Sequence, residues 1–244
     1  MSDIKAIVLA AGKGTRLQTE GTDLPKVMRE AMGKPLLSYV LRGIGFIRPE
    51  NITIVVGYKK EKVMDYFSGY SFAEQTEQLG TGHAVMAARN SLGADSQVLI
   101  CCGDMPLIKK DTYMDLTKTH LDGGNTCTIL TGTSDLSLPY GRVIRDAGGD
   151  FLQVVEEKDC DEHQRKITEL NSGVYMFSSS ALLEALQELK NDNAQGEYYL
   201  TDVPAILKGK GAKIGICRRN LGAEIIGVNT AAQLSQVEDI LGHQ

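Results

Sequence analysis

Residues 5–26 read KAIVLAAGKGTRLQTEGTDLPK, and the fold is read outward from the change of character inside that stretch. Lys5-Ala6-Ile7-Val8-Leu9 is an apolar run of strand length, bounded by polar residues, as expected of a buried strand. The segment after Leu9 has no apolar periodicity of its own and carries Gly12, Gly14, Lys13, Arg16 and Lys26, so it is a loop. Gly12 and Gly14 let backbone N–H groups turn toward one point with no Cβ in the way, which is how a concave anion site is made. Lys13, Arg16 and Lys26 supply neutralising charge. The spacing is not that of a P-loop, because Gly14 is followed by Thr15-Arg16, nor that of a dinucleotide fingerprint, because Leu17 stands at the third glycine position. On these residues alone a phosphate-handling loop and a solvated glycine turn are equally good readings.

Beyond the loop, strand-like and helix-like patterns alternate, the signature of a mostly parallel sheet flanked by helices. Pro35 opens a helix with Leu36, Leu37, Val40, Leu41 and Ile44 at helical spacing. Residues 52–57 are a second buried strand, 61–67 a short helix, a third strand ends near Glu74-Gln75, and a helix begins near Thr81. The most apolar run, 97–102, belongs at the centre of the sheet. It ends at Gly103-Asp104, and ligands in open α/β sheets bind beyond the carboxyl ends of such strands, which singles out Asp104. Asp111 reads as the cap of a helix running to about Leu121. The second half changes to short strands over 126–131, 142–145, 151–156 and 174–177, separated by turns, which implies a smaller antiparallel portion covering one side of the site. Helices over 178–189 and 198–207, a strand over 213–218 and a closing helix over 230–241 complete the chain. The expected class is α/β, one domain over 1–229 with residues 230–244 as its helical tail.

With 244 residues, 23% of them charged and 42% hydrophobic, the composition is that of an ordinary globular protein. A formal charge of −5 with no basic stripe argues against a nucleic-acid groove. No run is long enough for a membrane span, and Met1-Ser2-Asp3 leads directly into the first strand, so a cytoplasmic location is expected. The five cysteines are odd in number and lack a CxxC pair. Cys101, Cys102, Cys127 and Cys217 lie in strand-like runs and are expected as small core residues. The four histidines show no metal-ligand spacing.

The run LAAGKGTRL, residues 9–17, followed by Leu24-Pro25-Lys26, resembles the signature loop of the sugar-1-phosphate nucleotidylyltransferases, and within them the uridylyltransferase part of the bacterial N-acetylglucosamine-1-phosphate uridylyltransferases. Leu17 stands where that family commonly has Met. The resemblance implies a Rossmann-like nucleotidyltransferase fold, with Arg16 and Lys26 as catalytic cations on the triphosphate. Leu9, Ala10, Ala11, Gly12, Gly14 and Thr15 would contact the nucleotide. QTEQLGTG, residues 75–82, resembles the uracil-reading segment: Gln75 offers an amide able to donate and accept, and Gly80 with Thr81 lets backbone groups approach the ring. His83 is expected to pack or cap. Gly141, Glu156 and Asn171 match the hexose-binding positions, and in GEYYLTD, residues 196–202, Thr201 is expected near the sugar phosphate. As isolated residues, a strand-edge Glu156 and a turn Asn171 are usually structural.

Within the same pattern Asp104 and Asn229 would bind Mg²⁺, Asn229 serving also as a possible cap of the last helix. The residue before the Gly-Asp pair is commonly Tyr in the family and is Cys102 here. Attack of a sugar-1-phosphate on the α-phosphorus of UTP needs no base, because the nucleophile is already an anion; it needs alignment and charge neutralisation. The implied products are UDP-N-acetylglucosamine and pyrophosphate. The alternatives are a sister enzyme for glucose or N-acetylmuramic acid 1-phosphate, or a non-catalytic nucleotide-sugar-binding subunit. The hexapeptide repeats of the bifunctional enzymes are missing, so only nucleotidyl transfer is expected, from a monomer or small homo-oligomer.

Overall fold

The computed structural model describes residues 4–17, 24–93, 95–133 and 138–243. Residues 1–3, and 18–23 of the N-terminal loop, fall outside that description. Strand β1 (Ile4–Leu9) leads into the loop, and a short hairpin of β2 (Glu30–Ala31) and β3 (Lys34–Pro35) precedes helix α1 (Leu36–Gly43). Then come β4 (Ile52–Val56), α2 (Lys60–Tyr66), β5 (Ser71–Glu74) and α3 (Thr81–Ala87). Next are β6 (Gln97–Cys102), α4 (Lys110–Gly123) and β7 (Cys127–Thr133). The second half holds β8 (Arg142–Arg145), β9 (Phe151–Val155), β10 (Leu170–Ser178) and α5 (Ser179–Leu186). It closes with α6 (Val203–Gly209), β11 (Ile214–Asn220) and α7 (Ala231–Gly242).

Among the described residues, nine strands form one sheet, with the path β11-β7-β10-β6-β1-β4-β5 and the antiparallel β8-β9 pair attached to β10. Every neighbour on the path is parallel except β10, which is antiparallel to both β6 and β7. The run read as the most apolar is central: Val98 to Cys101 of β6 are fully buried, between β1 and β10. Period-two alternation sends side chains to both faces. Val8, Ile54, Leu99 and Met176 point to the face covered by α1, α2 and α4, where Leu37, Val40, Val63 and Leu116 pack. Ile7, Val55, Ile100 and Phe177 point to the other, covered by α3, α5 and α6 through Val85, Leu182 and Leu207. This is the expected mixed, mostly parallel sheet flanked by helices. The tail helix α7 rests through Val237 on a third cluster containing Ala31, Leu36 and Tyr39.

Four local expectations are corrected. Asp111 does not cap α4; Lys109 holds the cap position and Asp111 lies in the first turn, where its charge meets the positive end of the helix dipole. Of the strands read as the antiparallel portion, 126–131 is β7 and 174–177 is the nine-residue β10, and both lie on the path of the main sheet, while β8 and β9 form the attached antiparallel pair. The helix read from Tyr198 starts later: Leu200–Asp202 is a 3-10 turn and α6 comes after it, because the backbone of Tyr198 is engaged elsewhere. The closing helix is capped by Thr230, whose hydroxyl accepts from Gln233 N while Gln233 Oε1 accepts from Thr230 N, so Asn229 is not the cap. Among the described residues no helix is long and apolar enough to cross a membrane.

Candidate active site

Leu9 at the end of β1 lies opposite Cys102 at the end of β6. The chain goes from β1 to β4 on one side, while β6 pairs on the other. Loops leaving in opposite directions open a crevice at such a reversal. Two adjoining clefts of about 250 and 260 Å³ occupy it, and Leu9, Thr81, Cys102 and Asp104 line both.

The first cleft is walled by Ala10, Ala11, Gly12, Lys26, Gln75, Gln78, Gly80 and Glu197. Gln78 donates from Nε2 to Ala11 O at 3.0 Å, so the two predicted nucleotide segments are clasped to each other. Gln75, itself buried, donates from Nε2 to Gly80 O at 3.0 Å and lies 3.2 Å from His83 Nδ1. His83 therefore neither caps nor merely packs. Gly14 lines neither cleft but supports Lys26: a Cβ there would meet Lys26 Cβ at 2.6 Å, and its φ of +66° favours glycine. Thr15 and Arg16 are exposed on the 3-10 turn Thr15–Leu17 and line neither cleft.

The second cleft gathers Gly141, Glu156, Asn171, Thr201 and Asn229, drawn from five separate segments, together with Tyr140 and Tyr175. Thr201 Oγ1 donates to Glu156 Oε1 at 3.0 Å. Asn171 is held by its own neighbours: Nδ2 donates to Tyr175 Oη at 2.7 Å and Oδ1 accepts from Gly173 N at 3.3 Å. Burial raises the Glu156 carboxyl above its ordinary range; the Thr201 hydrogen bond opposes this, and Asp202, Asp159 and Glu197 reinforce it. A carboxyl whose folded pKa is raised costs the folded state stability as pH climbs above the ordinary carboxylate range. Glu156→Gln is thus expected to raise the melting temperature at pH 7–8, with the gain vanishing below about pH 4. The same variant is expected to lower affinity for whatever hydroxylated ligand fills this cleft, by about tenfold. Thermal unfolding across pH, beside a ligand titration, checks both.

At the junction stands the residue pair read as metal ligands, joined by a lysine. Lys26 Nζ forms an ion pair with Asp104 and donates to Asn229 Oδ1 at 2.9 Å. The Lys26 and Asp104 side chains retain only 17% and 15% of their exposure. Gly103 N donates to Leu9 O and Val228 N to Asp104 O, both at 2.9 Å, so the backbone fixes Asp104 against β1 on one side and the Asn229 segment on the other. The donors are oxygens, suited to a hard cation. Among the described residues no three His, Cys, Asp or Glu side chains cluster as a metal site. Burial, reinforced by the charge of Asp104, raises the neighbouring Cys102 thiol above its ordinary range. Cys102 faces the clefts and is not the core residue expected; Cys101, Cys127 and Cys217 are buried.

Two contributions to the site carry no signal in the sequence. Tyr140 Oη donates to Ile225 O at 2.9 Å and accepts from Gly227 N at 2.8 Å, clamping the segment that carries Asn229. A single tyrosine in a loop gives no hint of this. Residues 79–82 also pair with 198–200: Tyr198 N donates to Leu79 O and Gly82 N to Tyr198 O, each at 2.8 Å, and Leu200 N donates to Thr81 Oγ1 at 3.0 Å. The wall between the clefts is thereby built from two of the motifs.

The profile of the nucleotidyl transferase family matches residues 5–218. The chain belongs to that family. This nucleotidyl transferase is 43% identical over 238 residues to the bifunctional protein GlmU of Streptococcus thermophilus strain CNRZ 1066, covering 97% of this chain and 51% of the relative. It is 42% identical over 243 residues to the bifunctional protein GlmU of Streptococcus suis strain 98HAH33, covering 99% and 52%. The chain spans about half the length of these curated relatives. A crystal structure of a putative glucose-1-phosphate thymidylyltransferase from Bacillus anthracis, in complex with a sucrose, superposes with a TM-score of 0.73 at 17% identity, over 97% of this chain and 94% of that one, a likeness of fold.

Proposed function

We propose that this nucleotidyl transferase makes UDP-N-acetylglucosamine and pyrophosphate from UTP and N-acetyl-α-D-glucosamine 1-phosphate. One observation carries the reading: two clefts, one bordered by the glycine loop and one by hydroxyl-binding side chains, meet at Asp104, where a reacting pair of phosphates would lie. A phosphate oxygen of the sugar ester attacks the α-phosphorus, the bond from that phosphorus to the β-phosphate bridging oxygen breaks, and pyrophosphate leaves with the electron pair. No proton moves, so the work is alignment and charge neutralisation. In this reading Ala10, Ala11 and Gly12 present backbone to the triphosphate, Lys26 and Arg16 supply cationic charge, and Gln75 with Gly80 reads the base. Gly141, Glu156, Asn171 and Thr201 orient the sugar. Asp104 and Asn229 would hold Mg²⁺, whose charge neutralises phosphate oxygens when bound. That Lys26 already uses both oxygens as a cation's partners supports their fitness for the ion.

Pyrophosphate release measured with UTP and a panel of sugar 1-phosphates, with and without chelator, tests this. N-acetylglucosamine 1-phosphate is expected to turn over fastest, and the chelator to stop it. Faster turnover of glucose or N-acetylmuramic acid 1-phosphate reassigns the sugar; UTP binding without turnover of any sugar phosphate points to a non-catalytic subunit.

A further inference from the structure

The base-facing cleft holds one side chain whose hydrogen-bonding sense is fixed before any ligand arrives. The terminal amide of Gln75 has two N–H donors and one oxygen acceptor. Its nitrogen faces Gly80 O at 3.0 Å, and a carbonyl oxygen only accepts. That carbonyl also takes the helical bond from Ala84 N at 3.1 Å, so it is held in place by α3 itself. The same nitrogen faces His83 Nδ1 at 3.2 Å. For a donor to meet that ring nitrogen, Nδ1 must carry the lone pair and Nε2 the proton. Both amide hydrogens are then committed, and what Gln75 turns to the cleft is its oxygen.

We propose that His83 is a positioning residue that locks the Gln75 amide as an acceptor and so makes the enzyme prefer a pyrimidine with a protonated ring nitrogen. This rests on the uridylyl-transfer reading and deepens it. Uracil offers N3–H to such an oxygen. Cytosine offers a lone pair at N3, which sets acceptor against acceptor and leaves two buried groups unpaired. A freely rotating glutamine would reverse its amide and accommodate either base. One contact, to Gly80 O, leaves the second hydrogen uncommitted; His83 in its Nε2–H tautomer consumes it, and the reversed amide would set its oxygen against Gly80 O and, in that tautomer, against the His83 lone pair as well. His83 sits outside the cleft, so it sorts bases through Gln75 and touches neither substrate.

The test compares UTP and CTP dissociation constants, by calorimetry, for the unchanged protein, His83→Ala and His83→Asn, with circular dichroism to check folding. Asn places an amide oxygen near the Nδ1 position and keeps an acceptor there. The expected result is a preference for UTP that narrows by about tenfold in H83A and returns in H83N, with kcat for the uridylyl transfer reduced less than the UTP-to-CTP ratio of kcat/KM. An H83A protein that folds and keeps the original ratio overturns the lock, as does an unchanged protein that binds UTP and CTP alike. Should H83A fail to fold, an H83N protein that has lost the preference overturns it too. Because the readout is equilibrium binding, an unchanged protein that prefers UTP yet turns over no sugar phosphate removes the catalytic reading and leaves the lock to be decided by the variants.

Discussion

Asp104→Asn is expected to lower the pyrophosphate release proposed above by about 10³-fold, and with it the proposed response to magnesium, with little loss of fold. The substitution keeps volume and one oxygen but deletes the charge. Asp104 is one of the four residues that line both clefts, and its carboxylate is bound to Lys26 alone among the described side chains. Its backbone bonds, from Val228 N and through Gly103 to Leu9 O, do not depend on the side chain, so the loop stays where it is. The lysine left behind keeps Asn229 Oδ1 as an acceptor, and being partly exposed it finds water, so the stability cost is about 1 kcal/mol. Chemistry and folding should therefore separate, with a normal melting curve and turnover near background. Turnover within tenfold of the unchanged enzyme would remove Asp104 from the mechanism. Arg16→Ala, measured beside it, is the sterner question. Arg16 lines neither cleft, and its place on the triphosphate rests on the resemblance and the proposal alone.

Much of the fold is legible in the sequence because local signals and tertiary demand agree. β6 reads as the most apolar run and is buried on both faces for the same reason, its position between β1 and β10. β10 reads short because its first half contains Asn171-Ser172-Gly173, a turn by composition. The chain keeps pairing through that segment only by shifting register against β7 between Asn171 and Tyr175, and Asn171 lines the second cleft. A residue pattern that looks like punctuation is here a bulge that serves the site. The late start of α6 has a similar cause: Tyr198 has helical neighbours in sequence, but its N–H and C=O are taken by Leu79 and Gly82, more than a hundred residues earlier.

The site is legible where motifs bring residues together within a few positions, and opaque where the partners are remote. Gln75 and Gly80 fall in one motif and meet directly. The bond between Lys26 and Asn229 spans 203 positions, and no periodicity or spacing could announce it. Tyr140 and Ile225 are 85 apart and join through a backbone carbonyl, which leaves no trace in residue type. Cys102 is core by pattern, as the strand-end residue of a buried run; only the crevice beyond β6 decides that its side chain faces the clefts.

The second large effect is expected from a single methyl group. Gly80 holds φ +105° and ψ 176°, a conformation that L side chains rarely adopt, and an added Cβ would lie 2.6 Å from Tyr198 O and 2.9 Å from both Tyr198 N and Glu197 Cβ. Two of those three atoms are backbone, and that backbone is itself bonded to Leu79 O and Gly82 N, so it has no room to give. Relief requires parting residues 79–82 from 197–200. Parting them breaks the Thr81 to Leu200 bond and displaces Gly80 O, and with it the orientation of Gln75 on one side of the wall and of Thr201 on the other. Gly80→Ala is therefore expected to cost about 2–4 kcal/mol of stability, from backbone strain and lost hydrogen bonds together. It should also reduce kcat/KM for both substrates by about 10²-fold or more, since a displacement of order 1 Å in a positioning wall is enough. Denaturant unfolding and steady-state kinetics measured with each substrate in turn distinguish this from a merely local defect. If only the nucleotide KM rose while the sugar phosphate KM and the melting temperature held, the wall would not be the shared support of the two clefts.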